Sequence, residues 1–380
     1  MSSSSCARAG QVAALASNRS LVYKQHGDPK QVLSSYTYTL PALERGQMRV
    51  KFLLAAVNPA DIASLAYANN VIQGVYPSKP PVRQDVGPEP VTIMGNEAVA
   101  QVVGISEDGQ VEKNFKVGDR VVMGKGQLGT WQQYANLSAS DLTPLPIDKP
   151  ISDTQAATLS INPPTALRML SDFVELKPEK RTSKRKPWVI QNGANSAVGT
   201  AVIQIAKSWN VGTINLVRDR KGIGALKSKL EGLGADHVLT YDEFLQKETR
   251  QQIKDWTKDG DLKLALNCVG GKETTEMAKL LGTEGCLVTY GGMAKTQLSL
   301  PPSLFIFKKL TAQVFPSPRQ EMLAQLAGLV HDGKFLEPES IVVDISDSVM
   351  SDDKVTNIVR KTMEEIEKGK SKKVLFKLNE

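Results

Sequence analysis

Apolar residues recur at two different periods along the chain, and the change from one to the other divides it. Between Leu21 and Leu145 short β-like runs alternate with turns, at 47–54, 98–103 and 120–123, the last fed by the turn Val117-Gly118-Asp119-Arg120. This part reads as mostly β. From about Ile151 apolar β runs alternate with helices instead. Residues 189–191 read as a strand, 197–207 as a helix with apolar positions at helical spacing, and 213–217 as the next strand. A helix over 223–233 stops at Gly234, and strands follow at 237–239, 263–267 and 286–290. Such alternation builds a parallel sheet. The remainder reads as helices over 321–331 and 355–368 and a closing strand over 373–376, which is free to return to the first domain.

A chain of 380 residues exceeds one ordinary core and suits two packed domains, and 41% hydrophobic with 23% charged residues is globular composition. No apolar run approaches the ~18 residues that cross a bilayer, so no membrane span is expected. Lys and Arg outnumber Asp and Glu by 47 to 40, and much of the surplus lies in the clusters 181–186 and 368–373. The plain reading of both is a solvated loop and tail, and an acidic partner or a cofactor phosphate comes next. Nucleic acid ranks last as a partner, because neither cluster carries aromatic residues for base stacking. Cys6, Cys268 and Cys286 are too few and too unpatterned for a disulfide framework, which points to a reducing compartment. His26, His237 and His331 are isolated, so no zinc ligand set is visible. The first 27 residues contain no acid but carry Arg8, Arg19 and Lys24 among serines and alanines. That composition predicts a mitochondrial transit peptide over residues 1–20, with an irregular amino terminus as the alternative.

Small residues mark the candidate chemistry. Gln191-Asn192-Gly193-Ala194-Asn195-Ser196-Ala197-Val198-Gly199 joins the 189–191 strand to the following helix. Small side chains let backbone approach a pyrophosphate, and the amides of a helix N-terminus stabilise its charge. The strict glycine fingerprint is not met: Ala194 and Ser196 hold its first two positions and Gly199 the third, so an ordinary tight turn competes with this reading. About twenty residues on, where an NAD-binding domain carries an acid for the ribose 2′-hydroxyl, stand Arg218, Asp219 and Arg220. Two arginines hold a 2′-phosphate in charge-assisted hydrogen bonds, which favours NADPH over NADH. Tyr290, Gly291, Gly292 and Met293 follow a later strand, at the carboxyl edge where such sheets bind ligands. The predicted fold is α/β: a Rossmann doubly wound parallel sheet over 156–319, and a mostly β domain over 21–155 completed by about 320–380.

The order of these segments, with Asn58-Pro59-Ala60-Asp61 and Val117-Gly118-Asp119-Arg120 in the β domain, resembles the medium-chain dehydrogenase/reductase superfamily. Further motifs narrow the resemblance: Gly74-Val75-Tyr76-Pro77, Gly95-Asn96-Glu97, Leu159-Ser160-Ile161-Asn162-Pro163, Leu266-Asn267-Cys268-Val269-Gly270-Gly271-Lys272 and Tyr290-Gly291-Gly292-Met293-Ala294-Lys295. Together they are similar to the mitochondrial trans-2-enoyl thioester reductases, from about Val22 to Leu375. The resemblance implies a GroES-like catalytic domain, a homodimer, and NADPH-dependent reduction of enoyl thioesters, carried on acyl carrier protein or coenzyme A, in mitochondrial matrix fatty acid synthesis. Zinc relatives carry a His ligand at the position of Asn96, so metal-free chemistry is implied. Hydride adds to Cβ, negative charge develops on the thioester oxygen, and a donor must stabilise it while a proton reaches Cα. The family's tyrosine donor maps onto Tyr76, whose phenol is neutral near pH 7 and able to donate. Asn162, the loop Asn195, Ser196, Ala197, Val198, the Arg218–Arg220 run, the Tyr290 to Met293 run and Lys373 map onto cofactor contacts, with Lys372 as the neighbouring register. Trp131, Phe305 and Phe307 are candidates for an acyl channel, but aromatic residues near strand ends are more often core.

Two departures from the family bear on activity. The segment 62–72 is longer than the family's spacing to the tyrosine. After Leu310 a Gly-aromatic-Trp strand of the family and part of a loop are expected to be missing. The competing functions are a quinone oxidoreductase using NADPH and, because of the missing strand, a catalytically impaired NADPH-binding or regulatory protein.

Overall fold

The computed structural model describes residues 17–66, 82–83, 91–106, 115–146, 151–180, 185–258, 260–292, 298–314, 322–369 and 372–380. The chain divides into two units, one of Met1–Ile147, Ser152–Thr158 and Glu339–Glu380, the other of Asp148–Ile151 and Leu159–Pro338. The chain thus leaves the first unit and returns to it. The return falls at Glu339 rather than near 320, because the helix Met322–His331 clusters with the second unit.

In the second unit six strands form one parallel sheet in the order His237–Thr240, Gly212–Val217, Pro187–Gln191, Asp261–Asn267, Cys286–Thr289 and Thr311–Val314. The order reverses direction at Pro187–Gln191, which makes the crevice between that strand and Asp261–Asn267 the topological switch point of a doubly wound fold. Both strands beside it carry buried residues in succession, as expected of a sheet covered on both faces. Strand residues Ile190, Ile214 and Leu287 pack with Phe244, Ile253 and Met277, while Val217 and Val238 pack with Ile203 and Leu230. The helix Ile223–Leu233 ends where Gly234 takes a left-handed φ of 112°, a conformation that suits glycine.

The strand after Leu310 is present. Thr311–Val314 lies parallel to Cys286–Thr289 at the sheet edge, so a strand does follow Leu310, while residues 315–321, where the rest of the expected segment would fall, lie outside the described residues. The sequence hides this strand because Thr-Ala-Gln-Val has no apolar run and its first three residues are exposed.

The first unit is built around Gln47–Ala56, a ten-residue strand that pairs with Glu97–Ile105, Tyr134–Ser138 and the returning strand Lys373–Lys377. Register shifts at Arg49/Val50 and Phe52/Leu54 bend it, and bending lets one strand serve three partners. Arg120–Met123, Leu142–Pro144 and Ser340–Asp344 complete that sheet. Its core holds Phe52, Trp131 and Phe376, the last two edge to face with ring centroids 5.2 Å apart. Trp131 is therefore core, with its indole N–H donated to the Ala56 carbonyl.

A four-stranded sheet of Ser34–Tyr38, Asn18–Tyr23, Val91–Ile93 and Val82–Arg83 adjoins. Its second strand corrects the border of the predicted leader at residue 20. Asn18 is fully buried, donating to the Tyr38 hydroxyl and the Tyr134 carbonyl, and accepting from the Tyr134 amide. Arg19 donates to the carbonyls of Asp347 and Met350 and pairs with Asp352 at 3.6 Å. Residues 18–20 belong to the folded sheet; residues 1–16 of the predicted leader lie outside the described residues. No helix among the described residues is long and apolar enough to cross a membrane.

Candidate active site

The turn after Pro187–Gln191 shows why its residues are small. Gly193 has φ 60°, and a Cβ there would collide with the Cys268 thiol. A Cβ on Gly199 would lie 2.6 Å from the Ala194 carbonyl oxygen, so only glycine lets the helix Ala197–Ser208 start this close to the strand end. Ser196 caps that helix, its hydroxyl accepting the Gly199 amide at 3.0 Å. The amides of Ala197 and Val198, at the first helical positions, have no intrahelical acceptor. Asn195 is half-buried in the turn itself.

Behind the turn a polar network locks the two strands that flank the switch point. Asn192, fully buried, donates to Asn267 Oδ1 at 2.8 Å and accepts the Cys268 amide at 2.8 Å. Asn267 Oδ1 also accepts from the Gly270 amide and the Thr274 hydroxyl, and Gln191 donates to the Gly199 carbonyl and to Asn215. Buried amides bridged in this way hold the loop ends in one register, although Gln191 Oε1 has no hydrogen-bond partner among the described residues.

Arg218, Asp219 and Arg220 directly follow Gly212–Val217. Arg218 is exposed, and neither guanidinium is ion-paired with a carboxylate among the described residues; Asp219 instead accepts the Arg220 backbone amide at 2.8 Å. Tyr290 follows Cys286–Thr289, with its amide on the Asn267 carbonyl. Its hydroxyl is buried without a hydrogen-bond partner among the described residues, and burial together with Cys268 pushes its pKa well above the usual tyrosine value. Gly291 packs against Cys268, while a Cβ on Gly292 would meet nothing within 4 Å. Met293 lies outside the described residues. Tyr241, which sequence reasoning missed, accepts the Gly193 amide at 3.1 Å, and burial raises its pKa. Its only sequence signal was a tyrosine one residue beyond a strand.

Asn162 opens the helix Asn162–Asp172 and is buried, with prolines in the first turn where their missing amides cost nothing. An unpartnered hydroxyl, a small-residue cradle and two arginines free of carboxylates are a donor set that fits a phosphorylated dinucleotide.

The first unit holds a separate buried cluster. Asp61 and Glu97 are fully buried, and the Lys373 side chain is 9% exposed. Lys373 Nζ donates to Asn58 Oδ1 at 2.6 Å and lies 3.8 Å from Glu97; Asn58 donates its side-chain amide to Glu97 at 2.9 Å and its backbone amide to Asp61 at 2.7 Å. Asn96 donates to Asp61 at 2.5 Å. Burial lifts the Asp61 carboxyl to about 6, against the pull of the Asn58 amide, Asn96 and Lys373. Burial also lowers the Lys373 ammonium, opposed by Glu97 and Asp61. Among the described residues no group of three or more His, Cys, Asp and Glu could hold a metal ion. Tyr76 and the Gly74 to Pro77 motif lie outside the described residues. Phe305 and Phe307 are exposed on the helix Pro302–Lys308.

Residues 44–147 match the alcohol dehydrogenase GroES-like domain family and residues 197–332 the zinc-binding dehydrogenase family. The mitochondrial enoyl-acyl-carrier-protein reductase of Homo sapiens is 40% identical over 339 residues, 87% of this chain and 83% of the relative. The chain belongs to the mitochondrial enoyl-acyl-carrier-protein reductase family. Another member of that reductase family, from Schizosaccharomyces pombe, is 38% identical over 294 residues, 77% of this chain and 75% of the relative. Among solved structures, the mitochondrial 2-enoyl thioester reductase Etr1p/Etr2p heterodimer from Candida tropicalis superposes with a TM-score of 0.83 at 32% identity, covering 95% of this chain and 99% of that one. The Etr1p complex with NADP and crotonyl-CoA matches equally, at 0.83 and 32% with the same coverage. A NADPH:quinone reductase from Bacillus thuringiensis, at 22% identity, shares the fold.

Proposed function

We propose that this protein reduces trans-2-enoyl thioesters to saturated acyl thioesters in mitochondria, with NADPH as cofactor. The reading is carried by the 40% identity to the human reductase along 87% of the chain, joined to a dinucleotide turn whose flanking arginines are free of carboxylates. NADPH supplies the hydride that adds to Cβ of the substrate. The amides of Ala197 and Val198, with Asn195 and Ser196, receive the pyrophosphate; Arg218 and Arg220 receive the 2′-phosphate, and Asp219 fixes the bend between them. The family resemblance assigns Tyr290, Gly291, Gly292 and Met293 to the nicotinamide half and Asn162 and Lys373 to further cofactor contacts, and the buried Tyr290 hydroxyl offers a donor. Tyr76 donates to the thioester oxygen as charge develops there. The acyl group arrives on acyl carrier protein or coenzyme A in the matrix. The working form is a homodimer, supported by the edge strand Thr311–Val314 and the exposed Phe305, Ile306 and Phe307 before it.

The test is loss of NADPH absorbance with trans-2-enoyl-CoA, wild type against Tyr76→Phe. Removing one oxyanion donor lowers turnover by roughly 10²–10³-fold with NADPH affinity unchanged. A folded wild type that oxidises no NADPH, or a Tyr76→Phe variant as fast as wild type, overturns the reading.

A further inference from the structure

Tyr241 is fixed by its backbone and leaves its hydroxyl half used. It follows the strand His237–Thr240 and opens the helix Tyr241–Leu245, whose start is set by a capping box. The Thr240 hydroxyl accepts the Glu243 amide at 3.1 Å, and the Glu243 carboxylate accepts the Thr240 amide at 2.7 Å and pairs with Lys227 at 2.8 Å. The sheet order puts Gly212–Val217 between His237–Thr240 and Pro187–Gln191. The Tyr241 hydroxyl nevertheless meets the Gly193 amide, beyond the second of these strands, at 3.1 Å. The side chain therefore passes the carboxyl end of the intervening strand, bridging two strand spacings, about 10 Å in all. Its ring packs on the core of Ile214 and Leu216. Val217 pairs with Thr240, so Arg218 and Tyr241 are the next residues at two neighbouring strand ends, and the Arg218 charge acts on the phenol. A phenol both accepts and donates. Its oxygen is taken by Gly193, while its proton has no acceptor among the described residues.

We propose that Tyr241 is a specificity-determining residue, its hydroxyl donating to the 2′-phosphate of NADPH beside Arg218. This rests on the seating of the dinucleotide in the proposed function, and every residue it uses belongs to the second unit. The adenosine ribose joins the pyrophosphate to the 2′-phosphate, and the hydroxyl stands between the groups proposed for those two ends, with Gly193 in the turn on one side and Arg218 on the other. Arg218 is exposed, so water and salt screen its charge; a half-buried phenol adds a donor of fixed direction. Accepting the Gly193 amide polarises the hydroxyl and strengthens its own donation. Burial raises the phenol's pKa against the pull of the Gly193 amide and Arg218, so the proton to be donated is retained. NADH has no group for this donor, so the gain falls on NADPH alone.

Full-length wild type, Tyr241→Phe, Arg218→Ala and the double variant are titrated with NADPH and NADH by fluorescence, and with 2′,5′-ADP and 5′-AMP by calorimetry, with circular dichroism to confirm folding. Tyr241→Phe keeps the ring and removes the hydroxyl. It is expected to weaken NADPH and 2′,5′-ADP about tenfold, the loss of one hydrogen bond to a charged group, and to leave NADH and 5′-AMP within about twofold of wild type. The double variant is expected to lose less than the product of the two single losses, because both side chains hold one phosphate. Equal weakening of all four ligands makes Tyr241 a brace for the Gly193 turn and overturns the inference, as does undiminished binding of NADPH. Full additivity of the two substitutions overturns the shared phosphate. A wild type that binds NADPH no more tightly than NADH is a different result: it overturns the 2′-phosphate seat at the arginines, and this inference with it.

Discussion

Gly199→Ala isolates the close approach on which the dinucleotide turn depends. The added Cβ would lie 2.6 Å from the Ala194 carbonyl oxygen and 2.7 Å from its C and Cα, where ordinary contacts begin at 3.4 Å, so the helix start must retreat by about 0.8 Å. Ala194 cannot yield in its place: it is fully buried and its amide is bonded to the Leu216 carbonyl at 3.2 Å. Overpacking of this kind costs about 1–3 kcal/mol, and the better helix propensity of alanine returns up to about 1 kcal/mol. The net loss centres on about 1–2 kcal/mol within a range of about 0–3 kcal/mol. The same retreat carries the Ala197 and Val198 amides and the Ser196 cap away from where the proposed function seats the pyrophosphate, and a loss of about 1.4 kcal/mol there weakens NADPH tenfold. Gly232→Ala, in the helix Ile223–Leu233 with nothing within 4 Å of the new Cβ, serves as the control and gains about 0.5–1 kcal/mol. Urea unfolding and NADPH titration read both quantities. If Gly199→Ala unfolds at or above the wild-type midpoint with full NADPH affinity, the close-approach reasoning is wrong.

Two further outcomes follow from the same unit. If Arg218 and Arg220 hold the 2′-phosphate as proposed, replacing both by alanine lowers the preference for NADPH over NADH by roughly 10–100-fold in a steady-state comparison, with NADH nearly unaffected; loss of both cofactors equally would place the arginines outside the 2′-phosphate site. His237 is stacked against Trp256 at 3.7 Å, and burial lowers its pKa. The unfolded chain therefore takes up a proton that the folded chain resists, so this stability is complete above about 6.5, the ordinary histidine value, and falls as pH drops through the folded pKa. Asp61 acts oppositely: with its pKa raised to about 6, it contributes stability that is present below the ordinary aspartate value and lost as pH rises through about 6. Melting temperatures of wild type and His237→Phe across this range separate the two, and an unchanged acid slope in the variant would rule out His237.

The second unit was legible because its strands are covered on both faces and its helices are capped locally. The predicted helix at 223–233 coincides with Ile223–Leu233, and the strand at 120–123 in the first unit with Arg120–Met123. What the sequence hid depends on partners far along the chain. Asn18 to Ser20 read as the end of a leader because the amino-terminal composition is acid-free, yet Asn18 and Arg19 are engaged by Tyr134, Asp347, Met350 and Asp352. Thr311–Val314 is a strand only through its pairing with Cys286–Thr289. The dinucleotide turn could be read because its cradle is contiguous, whereas Tyr241 reaches Gly193 from 48 positions away.

Asn96 shows how far one substitution reshapes a site. By the family resemblance, Asn96 stands where zinc relatives carry a histidine ligand. In the folded chain both ends of the Asn96 amide are engaged: its carbonyl accepts the Gln127 backbone amide at 2.6 Å and its NH₂ donates to Asp61 at 2.5 Å. Asparagine is thus a connector here, giving a buried carboxylate a second hydrogen bond beside that of the Asn58 amide. Lys373 approaches the same group from 315 positions beyond Asn58, so the cation that balances these acids is contributed by the strand that closes the discontinuous unit. No local motif contains that pairing. It exists only because the chain returns, and the charge of the cluster is set by the same topology that completes the sheet.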